Sequence, residues 1–166
     1  MLKRFLLSVC LLWSPFAWSQ GWDVVAAPDE SYRSRWVAEV KSVDGHTLRI
    51  YRRIQHINFQ AFAEITLAGG KRFGSALPLL SIDGSEPRPI ERPEEKTATI
   101  KSNKVSWRVW ASTTAELLPT DALTPWINGS EIAFSFADDK GRQQTARFTL
   151  SGSGDAIRRI VSGTYK

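Results

Sequence analysis

Between residues 131 and 150, Ile132, Phe134 and Phe136 alternate with small or polar neighbours, as do Ala146, Phe148 and Leu150. Each arm therefore has one apolar and one wet face, the period-2 signature of half-buried strands. Bringing both apolar sets to one face places Phe134 opposite Ala146 and Ile132 opposite Phe148, which leaves Asp139-Lys140-Gly141 as a three-residue loop. Glycine then occupies the position where a type I turn followed by a bulge needs left-handed backbone. The same reading holds upstream, where Trp36, Ala38 and Val40 alternate with polar residues and Leu48 and Ile50 do likewise. Pairing Val40 with Leu48 and Ala38 with Ile50 leaves Val43-Asp44-Gly45 as the loop and sets Glu39 opposite Arg49 and Val37 opposite Tyr51. Such outer-face pairs contribute about 0.2–1 kcal/mol each. A two-residue Asp44-Gly45 turn would set Val40 against Arg49 and is excluded.

The longest clean alternation runs through Ile57, Phe59, Ala61, Ala63, Ile65 and Leu67 and predicts a central strand, ended by Gly69-Gly70. Gly21-Trp22-Asp23-Val24-Val25 opens the mature chain as a short apolar strand, broken by Pro28-Asp29-Glu30-Ser31. Residues 77–82 read as a strand or edge segment, because Pro78 cannot donate to a central ladder. Val105, Trp107 and Val109 alternate with Ser106, Arg108 and Trp110, which puts Trp110 on the wet face. From Ser85 to Lys96, three prolines mixed with glutamates predict a mobile loop. Helical turns are expected over 114–118 and 120–126, the latter closed by Gly129, and over 153–161, capped by Ser153 or Asp155 with Ile157, Ile160 and Val161 toward the core. The predicted fold is mainly β: a single antiparallel β-sandwich or partly closed barrel with two or three short helices across an open end.

Lys3 and Arg4 precede an apolar run from Phe5 to Trp13, followed by Ala17-Trp18-Ser19. This reads as a cleaved signal peptide over 1–19, too short in its apolar core to span a bilayer of about 30 Å. The remaining 20–166 form one domain, expected in the periplasm or secreted. The sole cysteine, Cys10, lies inside the apolar run after Val9, which disfavours lipid attachment and leaves the exported chain without a disulfide. Without Lys3 and Arg4, 20 basic residues face 17 acidic ones. That excess permits contact with anionic surfaces and falls short of a nucleic-acid protein. No second long apolar run follows the leader, so no transmembrane segment is expected.

His46 and His56 are the only histidines and lack the spacing of a metal site, so both are read as solvated loop residues. No Gly-x-Ser-x-Gly appears, and Asp138-Asp139 and Glu94-Glu95 sit in a turn and a proline-rich loop rather than on a rigid wall. No catalytic residue, cofactor or metal is therefore expected. What remains is basic and aromatic: Arg35, Arg49, Tyr51 and Arg53 share the outer face of the first hairpin, and Trp110 and Trp126 either line a binding groove or close the sandwich. Trp22, Trp36 and Trp107 fall on apolar faces and belong to the core.

The order Trp22-Asp23-Val24-Val25, Leu77-Pro78-Leu79 with Ser81-Ile82-Asp83-Gly84, Leu117-Leu118 to Gly129, and Phe148-Thr149-Leu150-Ser151-Gly152 with Asp155-Ala156-Ile157 resembles the invasion-associated locus B family of exported bacterial proteins. That family carries cysteines near the first strand and around the later one, where this chain has Ala26, Trp36, Trp107 and Trp110. The resemblance implies a periplasmic or surface-associated β-sandwich linked to host-cell invasion or envelope stress. The expectation is a non-enzymatic interaction module whose partner is a protein or an anionic envelope component. Its rivals are a structural accessory subunit of an envelope complex and a small hydrolase.

Overall fold

The computed structural model describes residues 21–55, 58–92, 94–112 and 121–163. In chain order the elements are β1 (Asp23–Ala26), a 3-10 turn (Glu30–Tyr32), β2 (Trp36–Lys41), β3 (Thr47–Gln55), β4 (Asn58–Thr66), β5 (Leu79–Ile82), β6 (Arg88–Pro89), β7 (Thr99–Lys101), β8 (Lys104–Ser112), α1 (Thr124–Asn128), β9 (Glu131–Ala137), β10 (Gln143–Thr149) and α2 (Ser153–Ser162). One sheet has the order β1-β2-β3-β4-β8-β7 and the other β10-β9-β5-β6, and among the described residues neither closes into a barrel. The fold is an antiparallel β-sandwich.

Both hairpin registers are those the alternation dictates. Val40 faces Leu48 and Ala38 faces Ile50, while Phe134 faces Ala146 and Ile132 faces Phe148. In the first loop, the Ser42 N–H donates to His46 O at 2.8 Å and Gly45 takes φ +79°; in the second, the Asp138 N–H donates to Arg142 O at 2.9 Å and Gly141 takes φ +76°. β4 lies inside its sheet, as its long alternation requires. Inner faces of both sheets meet in one core, where Trp107 lies 5.6 Å from Phe134, and Trp126 of α1 lies 6.3 Å from each. Ala38, Ala61 and Ala63, all fully buried, keep the central strands slim where those rings pack.

Four expectations are corrected. Ala61 faces Trp110 but Phe62 faces Arg108, so Val109 is an extra residue in β8. The resulting bulge turns Trp110 to the side of Trp107, and only 7% of it is exposed. The proline-rich segment is tied down: Arg88–Pro89 pairs with β5, Ile90 is buried, and Glu91 Oε2 accepts from Thr97 N, Thr97 Oγ1 and Ala98 N at 2.6–2.9 Å. Neither Ser153 nor Asp155 caps α2, whose N-cap is Gly152. Ser153 Oγ instead donates to Trp126 O at 2.7 Å and locks α2 to α1, while Ile157, Ile160 and Val161 reach the core as expected. Finally, His46 is buried rather than solvated, and its Nδ1 accepts the Ala68 N–H at 3.0 Å. Residues 1–19, His56 and the helical turn expected over 114–118 lie outside the described residues.

Candidate functional site

The register turns the outer face of the six-stranded sheet into rungs. One reads Val25, Val37, Tyr51, Phe62, Arg108; the next Asp23, Glu39, Arg49, Glu64, Ser106; the third Lys41, Thr47, Thr66, Lys104. An apolar rung beside a charged one is an unstable surface unless something covers it. The β1–β2 connection does so. It closes on itself through Ala27 N–H to Arg35 O at 2.9 Å and Arg33 N–H to Glu30 O at 3.0 Å, and it brings Tyr32 back onto the sheet. Tyr32 is 1% exposed, meets Tyr51 edge-on at 4.8 Å, and joins a second small apolar cluster with Val37, Tyr51, Val25, Ala27 and Phe62.

Burying a phenol and three charges together demands that every polar atom be met. Glu64 Oε1 accepts from the Tyr32 hydroxyl, from Thr66 Oγ1 at 3.3 Å and from Arg49 Nη1 at 3.4 Å, with Lys104 Nζ at 3.7 Å. Arg49 Nε donates to Glu39 Oε2 at 2.7 Å and Nη1 to the Tyr32 hydroxyl at 3.2 Å. Burial, then the Glu64 carboxylate, holds the Tyr32 hydroxyl well above the usual phenol range. Burial pushes Tyr51 up to about 12. For Arg49, burial opposes the charge, but Tyr32 and Glu39 outweigh it and its pKa is raised.

Six residues were expected at a binding surface, and the structure separates them. Arg49 and Tyr51 lie beneath the Tyr32 strap, and Trp110 and Trp126 are core residues, Trp126 closing the sandwich end. Arg53 stacks over Phe62 at 4.5 Å and Tyr51 at 5.2 Å and donates from Nε to Tyr32 O at 3.4 Å. Arg35 is exposed, its guanidinium 5.8 Å from the Trp36 ring. Arg35 and Arg53 are thus the members that reach the surface, Arg53 over the rings of the strap-covered cluster and Arg35 beside Trp36 of the main core. Tyr32 and Glu64, central to the buried network, were missed. Glu64 follows from extending the Glu39–Arg49 rung by one strand; Tyr32 sits in a non-periodic connection that carries no such signal.

Among the described residues, no three or more His, Cys, Asp or Glu side chains gather as a metal site, and no helix is long and apolar enough to cross a membrane. No protein-family model, curated protein or solved structure matches this chain.

Proposed function

We propose that this chain is an exported interaction module of the invasion-associated locus B kind, working in the periplasm or outside the cell by contact rather than by turnover. Its partner is a protein or an anionic component of the envelope. The observation that carries this reading is the pair of guanidiniums at the sheet surface: Arg53 lies over Phe62 and Tyr51 beside the partnered Arg49–Glu39–Glu64 network, and exposed Arg35 lies over Trp36. A guanidinium packed against a ring keeps its charge and loses less side-chain entropy on meeting a carboxylate or phosphate. The Lys3-Arg4 leader and its apolar run support export, and the mature chain then begins near Gln20.

Pull-down from an envelope extract, comparing the wild type with Arg35→Glu/Arg53→Glu, tests the contact. Partners recovered by the wild type and lost by the folded variant support it; turnover of a peptide, glycan or ester by the pure protein defeats it. Intact mass of exported protein checks the leader, since retention of residues 1–19 or lipid on Cys10 contradicts the proposed processing.

A structural accessory subunit is favoured by one feature, the outermost position of β10, whose Gln143, Thr145 and Arg147 are exposed. An open edge adds a partner strand through backbone hydrogen bonds. Proline at Gln144 or Thr145, one of which points its N–H outward, would then abolish a stoichiometric complex.

A further inference from the structure

We propose that one pole of the sandwich docks on an anionic lipid bilayer. The inference rests on the exported location in that reading and commits the anionic envelope component to a lipid, met through a surface separate from Arg35 and Arg53. Residues 67–74 cross the ends of both sheets and stitch three hairpin turns together. The Ala68 N–H reaches His46 Nδ1 at 3.0 Å beside the β2–β3 turn, and the Phe73 N–H reaches Ser102 O at 2.9 Å in the β7–β8 turn. The Asp139 N–H reaches Arg72 O at 3.2 Å in the β9–β10 turn. Lys41, Lys71, Arg72, Lys101 and Lys140 are all exposed on this seam, and none has an ion-pair partner among the described residues.

The charge is local. Residues 21–163 contain 19 basic and 17 acidic side chains. The pole holds six of the basic ones, those five with Arg142, against Asp44, Asp138 and Asp139, so the rest of this span, with the Lys104–Glu64 pair, carries 13 basic and 14 acidic. Asp138 is moreover committed, to Arg142 at 2.8 Å and to the N–H groups of Lys140 and Arg142 at 2.9 Å each. Lys104 faces Glu64.

An apolar tip distinguishes a membrane from other anions. Val43 leads the β2–β3 turn and is 89% exposed. The turn position accepts almost any residue, so the fold does not call for valine there. An exposed apolar side chain on a pole rich in lysines and arginines fits insertion into the headgroup boundary, which a purely polar anion would not reward. Each basic residue near an anionic leaflet strengthens binding by roughly fivefold.

Co-sedimentation with vesicles of equimolar phosphatidylglycerol and phosphatidylcholine, against vesicles of phosphatidylcholine alone, is the test. The wild type is expected on the anionic vesicles only, with binding weakened as salt rises from about 0.05 to about 0.5 M. Lys71→Gln/Arg72→Gln/Lys140→Gln is expected to bind roughly 100-fold more weakly. Val43→Ser loses roughly 10-fold with its salt dependence unchanged. Circular dichroism confirms that these surface variants fold. Equal binding to neutral vesicles, an undiminished triple variant, or equally tight binding of soluble polyphosphate that is indifferent to Val43→Ser overturns the proposal. Arg35→Glu/Arg53→Glu is expected to keep vesicle binding. If it alone loses that binding, the pole is refuted; if vesicle binding is absent while Arg35/Arg53-dependent capture persists, only the pole falls.

Discussion

Replacing Arg49 by Met keeps most of its aliphatic packing and removes the charge that Glu39 and Glu64 share across three strands. The side chains of Arg49, Glu39 and Glu64 are 16%, 16% and 10% exposed, so little water is present to take over. Removing one partner of a buried pair costs about 3–5 kcal/mol, and an exposed pair about 0–1 kcal/mol. Lys104 remains 3.7 Å from Glu64 and offsets part of the loss. The expected cost is therefore about 2–3 kcal/mol, or a fall in Tm of roughly 5–12 °C for a domain of this size. Urea unfolding followed by tryptophan fluorescence measures it. A cycle with Glu39→Gln is expected to return a coupling of about 1–2 kcal/mol that changes little with salt, because water and ions are excluded from the pair. A loss below about 0.5 kcal/mol, erased by salt, would mean that the guanidinium is solvated and that the strap does not cover this rung.

Gly141→Ala is expected to cost about 1 kcal/mol in urea unfolding, because φ is +76° and nothing lies within 4 Å of the added carbon, leaving only backbone strain. Burial, then Lys71, depresses the His46 pKa, so its contribution is present above about pH 6.5 and lost as pH falls through the folded value. Chemical denaturation between about pH 7.5 and 5 should show this loss, and His46→Gln should flatten it. Tyr51 is raised to about 12, so its contribution is present below the ordinary phenol value of about 10 and lost as pH climbs from there toward 12; absorbance titration of phenolate alongside denaturation checks both halves.

The sheets were legible because their strands alternate cleanly and their turns carry glycine where the backbone turns left-handed, as at Gly45 and Gly141. Trp110 was misplaced because a bulge at Val109 obeys pairing geometry that periodicity does not encode. His46 looked solvated because it follows a turn glycine, yet its burial depends on residue 68 arriving from another element. Among the site residues, sharing a face was legible for Arg49, Tyr51 and Arg53, whereas coverage was not. Whether an outer face meets water depends on where the β1–β2 connection folds, and that is settled by long-range contacts of Tyr32 with Tyr51 and Glu64.

That the stitched basic pole is the surface meeting the membrane is tested most directly by a single thiol at its tip. In a Cys10→Ser background, Val43→Cys carrying an environment-sensitive fluorophore should shift to the blue on phosphatidylglycerol-containing vesicles and not on phosphatidylcholine. The same label at Thr145→Cys, on the exposed side of β10, should report water with both. No shift at position 43, or equal shifts at 43 and 145, would contradict docking through the pole.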